Sequence, residues 1–166
     1  MNYWQRNLQG FDSAPFPPTM PSVEQPVADA AIAHSFATPS GNHGYITASI
    51  LIRAALALVV ARMADSNNII FGSTLHGRNT AVTGLDKMVA PAIATVPVRV
   101  RFYSTQYVSS YLQVITQEAA KVMPYEQTGL QRIAAVSSNA EKAYKFQTHV
   151  VIQPEDCIQG KSLLGQ

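Results

Sequence analysis

The amino-acid sequence predicts an α/β fold that is incomplete as it stands. Two observations indicate the α/β class: long apolar stretches with helical periodicity recur along the chain, and runs that alternate between apolar and polar residues separate them. A third observation indicates incompleteness, since charged residues make up only 13% of the 166 residues, about half of the usual ~25% share. We therefore expect further protein to cover part of this surface.

The first 30 residues are predicted to be loop-rich. Five prolines fall between positions 15 and 26, and proline fixes φ and lacks an amide donor, so regular structure is not expected there. Residues 30–36 are predicted to form a short strand. The turn signal Pro39-Ser40-Gly41-Asn42 then ends this part of the chain.

The first long helix is predicted over residues 47–64. Thr47 is a good N-cap, because its hydroxyl can accept a hydrogen bond from a free amide of the first turn. The helix is apolar on nearly every side apart from Arg53 and Arg62, and such helices are normally buried on several sides. Residues 69–75 follow as a buried strand.

A second strand is predicted over residues 94–102. Pro97 within this run indicates an edge strand, a bulge or a strand start. Because the run alternates, Arg99 and Arg101 share a face with Thr95, and we expect this face to be solvated or covered by another lobe. The opposite, apolar face comprises Val96, Val98, Val100 and Phe102.

The clearest helix is predicted over residues 107–123. It ends at Pro124, a short helix follows near residues 129–135, and residues 146–152 alternate as a last strand. The apolar stripe of the long helix is predicted to be core; it consists of Val108, Tyr111, Leu112, Ile115, Ala119, Val122 and Met123.

Composition excludes several classes of function. The basic residues are scattered and the net charge is only +2, so no nucleic-acid interface is expected. No apolar run approaches the ~20 residues of a membrane span. The single cysteine, Cys157, excludes a disulfide framework and fits a cytoplasmic setting. We interpret it as an incidental thiol rather than as a nucleophile paired with His149.

The motifs of common enzyme classes are missing as well. The four histidines form no His-Glu-x-x-His zinc motif, and there is no Gly-x-Ser-x-Gly nucleophile elbow. Neither a phosphate-binding loop nor a dinucleotide-binding glycine pattern is present. No catalytic residue and no metal ligand are therefore assigned to this chain.

Several stretches, taken in order, resemble the condensation domains of nonribosomal peptide synthetases. The residues of these motifs are most similar to those of fungal members. Tyr3-Trp4 and Pro15-Phe16-Pro17 resemble the opening of the family's second lobe, and residues 47–62 resemble its alanine-rich helix. Four further stretches resemble motifs of the family. Phe71-Gly72-Ser73-Thr74-Leu75-His76-Gly77-Arg78 resembles Phe-Gly-x-x-x-Ser-Gly-Arg, and residues 89–99 resemble Gly-Pro-x-x-Asn-Thr-x-Pro-x-Arg. Met123-Pro124-Tyr125-Glu126-Gln127 resembles Pro-Phe-Glu, and Phe146-Gln147 resembles Phe-Gln.

The resemblance implies one lobe of a chloramphenicol-acetyltransferase-like fold, with a mixed sheet and flanking helices. Two such lobes enclose a channel in the family. The chain is then interpreted as a proline-rich lobe-entry segment (1–30), a partial C-terminal lobe (31–153) and a polar tail (154–166) that is cut short.

The resemblance also implies a reaction. In the family, two carrier proteins present thioester substrates on phosphopantetheine arms, and the acyl group passes to an amine to form an amide; in some fungal members a bound peptide is cyclised. The family's His-His-x-x-x-Asp-Gly motif belongs to the first lobe, which this chain lacks. The expected partners are therefore that N-terminal lobe and peptidyl or acyl carrier proteins, and the chain is expected to be inactive alone.

Four residues are candidates for the wall of the channel or for the interface between lobes: Arg78, Ala94, Thr95 and Gln147. Ala94 stands where the family often has asparagine, so no direct catalytic role is expected there. A salt bridge within the lobe is the alternative role for Arg78, and plain strand packing is the alternative for Thr95. For Glu126 we expect a structural hydrogen bond to nearby backbone.

Two other readings of the chain stay open at this point. It could be a non-catalytic module that binds a carrier protein or a lobe, or a truncated product without activity. The sequence leaves the substrates open, and likewise the choice between linear extension and cyclisation.

Overall fold

The chain forms helices packed on both faces of a small sheet. A computed structural model describes residues 2–18, 27, 30–37, 46–75, 93–103 and 105–153. The elements are α1 (Tyr3–Leu8), α2 (Ala48–Met63), β1 (Asn68–Leu75), β2 (Ala94–Arg101), α3 (Val108–Val122), a 3-10 helix (Met123–Thr128), α4 (Leu130–Ala134), α5 (Ser138–Tyr144) and β3 (His149–Val151).

The three strands form a mixed sheet in the order β2-β1-β3, which confirms the predicted sheet type. β1 and β2 are antiparallel, and their register runs from the pair Asn68–Arg101 to the pair Leu75–Ala94. β3 is parallel to β1 and pairs His149 with Gly72. Pro97 thus lies on an edge strand of the described sheet, where its missing amide costs no inner ladder bond.

The first core lies between the sheet and the helices α2 and α3. The predicted N-cap is confirmed, since the Thr47 hydroxyl accepts from the amide of Ile50 at 3.3 Å. The Tyr111 hydroxyl donates to the carbonyl of Ala54 at 2.8 Å and ties the two helices together. Buried members of this core are Ile50, Ala54, Ala57, Val60, Ile69, Phe71, Val100, Tyr111 and Ile115.

The expectation that α2 is buried on several sides was wrong for the described residues. Leu58, Val59 and Met63 on its outer side are 51%, 54% and 66% exposed. Only one side of the helix packs on β1 and α3. The prediction that the apolar stripe of α3 belongs to the core was also wrong at the two ends of the stripe, because Val108 is 73% and Met123 is 42% exposed.

The second core lies on the other side of the molecule, and α1 is central to it. This helix was not predicted; it begins at an N-cap, since Asn2 Oδ1 accepts from the amide of Trp4 at 3.3 Å. Trp4, Leu8 and Phe11 are at most 1% exposed, so the N-terminal segment is part of the core. Also buried there are Ile70, Val96, Ile133, Ala140 and Ala143.

Three further predictions differ from the structure. Residues 30–36, which were predicted to form a strand, are exposed and form none. No described strand pairs with them. The last strand is confirmed but short, with three residues rather than seven. Helix α5 was missed; the Ser137 hydroxyl caps it by accepting from the amide of Ala140 at 3.2 Å.

Candidate functional site

Three of the four predicted site residues lie at one end of the sheet. Ala94 and Thr95 begin β2, and Gln147 lies two residues before β3. Arg78 falls outside the described residues, so its predicted role stays a prediction. We call this end, where β1 finishes and β2 begins, the threonine end of the sheet.

A chain of side-chain hydrogen bonds crosses all three strands at the threonine end. Thr74 Oγ1 lies 3.2 Å from Thr95 Oγ1 and 2.8 Å from Nε2 of His149. Thr74 is therefore the middle member, with a hydroxyl on one side and an imidazole on the other. Sequence reasoning found Thr95 but gave neither Thr74 nor His149 a role at this site.

Strand register explains why these three side chains meet. Thr74 and Thr95 are directly paired across the antiparallel ladder, where opposite side chains lie on the same face. His149 pairs with Gly72, two residues before Thr74, so its ring points to that face as well. The amide of Gly72 also donates to the carbonyl of Thr148 at 2.9 Å, which fixes the start of β3.

A close approach at Gly72 helps to hold this arrangement. A Cβ atom at that position would lie 2.2 Å from Cε2 of Phe146, so the ring occupies the space that any larger residue would need. The same ring lies 6.3 Å from the imidazole of His149, measured between centroids. The glycine thus lets Phe146 pack against the sheet just before the histidine.

The other two predicted residues do not join the hydrogen-bond chain. Ala94 is adjacent to Thr95 and therefore points to the opposite face of the strand. Gln147 is exposed, and its amide donates to the carbonyl of Lys145 at 3.4 Å. The threonine end offers hydroxyl and imidazole groups, which can donate or accept hydrogen bonds.

Arg99 lies on the same face of β2 but near its other end, which we call the arginine end. Its guanidinium donates to Oδ1 of Asn68 at 2.9 Å and to the carbonyls of Asn7 and Gln9 at 3.0 and 2.8 Å. It also lies 5.6 Å from the ring centroid of Phe11. Contrary to expectation, Arg99 is thus covered by the N-terminal segment of its own chain.

Burial has an electrostatic effect at this arginine. Removal of water from the guanidinium, with a smaller contribution from the nearby charge of Arg101, lowers the pKa of Arg99 to about 10. The group stays charged at neutral pH, and its hydrogen bonds replace the lost water. This end therefore has a structural role.

A cleft of about 630 Å³ opens beside the arginine end, between α1, β2 and α3. Arg6 and Arg101 line it together with the exposed ion pair of Lys121 and Glu118, whose atoms lie 2.7 Å apart. Tyr3 stacks on Tyr125 at its wall with centroids 4.4 Å apart. The cleft is thus positively charged, but it is separate from the predicted channel residues.

Glu126 differs from the expectation that it bonds to backbone. Its side chain is 3% exposed, and Oε1 has no hydrogen-bond partner among the described residues. Burial raises the pKa of the Glu126 carboxyl because the charged form loses its water. It is a buried acid with one oxygen that lacks a hydrogen-bond partner in the described part of the chain.

The described residues provide neither a membrane span nor a metal site. No helix there is long and apolar enough to cross a bilayer. No group of three or more histidine, cysteine, aspartate or glutamate residues there is arranged to hold a metal ion.

The comparison with solved structures defines the class of fold. One crystal structure, described as SeMet-CT, matches 79% of this chain with 29% of its own length, a TM-score of 0.65 and 26% identity. A second, described as holo T3CT, matches 58% of this chain with 22% of its length, a TM-score of 0.51 and 27% identity. The fold is that of one lobe of a chloramphenicol-acetyltransferase-like condensation domain.

The sequence comparison identifies the family. The Condensation domain family matches residues 2–162, and the chain belongs to it. Peramine synthetase A of Epichloe festucae is 82% identical over all 166 residues, which form 6% of that protein. Peramine synthetase ppzA of Metarhizium rileyi is 53% identical over 99% of this chain and 6% of its own length. Nonribosomal peptide synthetase dtxS1 of Metarhizium robertsii is 43% identical, with 2% of its length covered. The family that the motifs predicted is therefore confirmed.

Proposed function

We propose that this chain forms the second lobe of a condensation domain that joins an acyl group to an amine in nonribosomal peptide biosynthesis. The observation that carries the proposal is the family match over residues 2–162. The 82% identity to a peramine synthetase supports it. A bound peptide that attacks its own thioester would be cyclised by the same chemistry.

The substrates in this proposal are thioesters on the phosphopantetheine arms of two carrier proteins, and the setting is the cytoplasm. The attacking amine must lose a proton, and a general base has to lie within about 3 Å of that proton. The sequence contains no pair of adjacent histidines. We therefore expect a separate first lobe to supply the base and this chain to form one wall of the channel.

The test is amide formation by the purified chain with loaded donor and acceptor carriers, with and without a first lobe supplied in trans. The first lobe is taken from a condensation domain of a peramine synthetase. We expect product, detected by mass spectrometry, only when both lobes are present. A first lobe whose second motif histidine is replaced by alanine is the matched control and should give none.

The other outcomes have defined meanings. Product from the chain alone would refute the need for a first lobe. Absence of product with both lobes, together with retained carrier binding, would favour a binding module. Loss of both product and binding would favour an inactive fragment.

A further inference from the structure

The cleft beside the arginine end, which we call the cationic cleft, gathers an excess of positive charge. Four basic residues and one acidic residue line it, hence a net charge of +3, whereas the whole chain has a net charge of only +2. The basic residues are Arg6, Arg99, Arg101 and Lys121, and the acid is Glu118. Like charges held close together repel each other, so an anion that enters the cleft is stabilised.

Two of these guanidinium groups have no partner in the described part of the chain. Arg6 and Arg101 make neither an ion pair nor a side-chain hydrogen bond there, and both are exposed. Arg99 differs, because its donors are used within the fold. Burial and, after it, the charge of Arg101 lower the pKa of Arg99 to about 10. An anion bound at Arg101 would offset this repulsion.

The acid of the cationic cleft is already paired. Glu118 Oε1 accepts from Nζ of Lys121 at 2.7 Å, and its Oε2 accepts from the side-chain amide of Asn7 at 3.4 Å. The carboxylate therefore does not compensate the two arginines that lack partners. The same amide lies 3.5 Å from the hydroxyl of Tyr3 and donates to it, which leaves the proton of that hydroxyl available to a ligand.

The size of the cleft and its apolar lining indicate what the anionic group is attached to. A volume of about 630 Å³ lies within the range of about 300–1,000 Å³ that is typical of small-molecule sites. Tyr103 and Val114 also line the cleft, and they are 66% and 41% exposed. An apolar or planar part of a ligand can pack on them. The lining thus suits an organic molecule with an anionic group.

We propose that the cationic cleft binds a small organic phosphate, whose phosphate group contacts Arg6 and Arg101 and whose apolar or planar part packs on Tyr103 and Val114. Phosphate suits two guanidinium groups, because each planar fork can bind a pair of its oxygens. The site goes beyond the proposed function and does not depend on it, since none of the described candidates for the channel wall lines the cleft.

Isothermal titration of the purified chain tests the site with AMP, inorganic phosphate and adenosine as probes. AMP carries a phosphate group and a planar ring, whereas each of the other two probes carries one of these parts. We expect AMP to bind about 10-fold or more tightly than either of them, as charge-assisted hydrogen bonds and ring stacking predict. Adenosine binding as tight as that of AMP would overturn the role of phosphate. Phosphate binding as tight as that of AMP would overturn the organic part, and absence of binding by both would overturn the site.

Substitution of single arginines locates the phosphate. Arg6→Gln and Arg101→Gln should each weaken AMP binding about 10-fold, because each removes a charge-assisted contact, and should leave adenosine binding unchanged. Arg101→Lys keeps the charge but loses the fork, so we expect an intermediate loss. Arg62→Gln is the matched control, because Arg62 is exposed on α2, which does not line the cleft, and its loss changes the net charge equally. Equal weakening by Arg62→Gln would show that overall charge attracts AMP and would overturn the site.

Two further measurements separate the site from the fold and from the proposed function. Urea denaturation of each variant shows whether the fold is kept, and Arg101→Lys replaces Arg101→Gln if the latter unfolds. The titration is then repeated with the reconstituted pair of lobes, and we expect AMP to bind the pair as tightly as the chain alone. Loss of AMP binding in the pair would overturn the proposal, because the first lobe would then cover the cleft. Amide formation is measured separately, so its absence would refute the proposed function and leave the phosphate site standing.

Discussion

The two ends of β2 carry polar side chains on the same face of the sheet, but they use them differently. At the arginine end, three oxygen acceptors and the ring of Phe11 surround Arg99. At the threonine end, Thr95 has a hydroxyl partner that leads to an exposed imidazole. The difference shows that strand alternation decides only the face, whereas the neighbouring elements decide whether a polar residue is enclosed by the fold or stays accessible.

The largest effect is expected at the arginine end. Arg99→Ala removes a charged donor from the carbonyls of Asn7 and Gln9 and should lower the free energy of unfolding by about 2–3 kcal/mol. Urea denaturation followed by the fluorescence of Trp4, the only tryptophan of the chain, measures this. Arg101→Ala, on the same face but exposed, is the control and should change stability by less than about 0.5 kcal/mol. Equal losses of stability in Arg99→Ala and Arg101→Ala would contradict the structural role of the arginine end.

A smaller loss is expected where β1 meets Phe146. Gly72→Ala places a Cβ atom 2.2 Å from the ring, and overpacking of this kind costs about 1–3 kcal/mol. The same denaturation experiment applies. Phe146→Leu in the Gly72→Ala background should recover part of the loss, since it removes ring atoms from the contact. If the stability changes of the two substitutions simply add in the double variant, contact with the Phe146 ring is not the cause of the loss.

The buried acid Glu126 provides a pH-dependent test. Its pKa is raised in the folded state, so the folded chain binds the proton more tightly than the unfolded chain. This contribution to stability is complete below the unfolded pKa and is lost as the pH rises through the folded pKa. Glu126→Gln should therefore be more stable than the wild type at neutral pH and lose that advantage at acid pH. Denaturation curves at several pH values check the sign, and a constant difference would contradict it.

The smallest effect on stability is expected at the threonine end. Thr95→Val removes one hydroxyl from a half-exposed pair and should cost less than about 1 kcal/mol. The variant is thus suited to activity measurements, because the lobe keeps its fold. A loss as large as that of Arg99→Ala would mean that both ends of β2 serve the fold.

Much of the framework could be predicted because local patterns determine it. The alternation of Val96, Val98 and Val100, the periodicity of residues 108–122 and the cap at Thr47 each depend on neighbours a few positions away, and the structure confirms each element. Family motifs selected Thr95 and Gln147, which both lie at the threonine end, but the roles predicted for them stay predictions. Short elements escaped prediction: α1 holds only six residues, and its stability comes from burial of Trp4 and Leu8 against distant helices.

The sequence by itself determined the class of fold, the long elements and the family, since periodicity and motif order are properties of the chain. Only the tertiary structure decided which polar residues act together. Thr74 and His149 are 75 positions apart and meet because β3 joins β1 in parallel register. Asn7 and Arg99 are 92 positions apart and meet because α1 folds back onto the sheet. Register and long-range packing arise from the sum of many distant contacts, so no local pattern contains them.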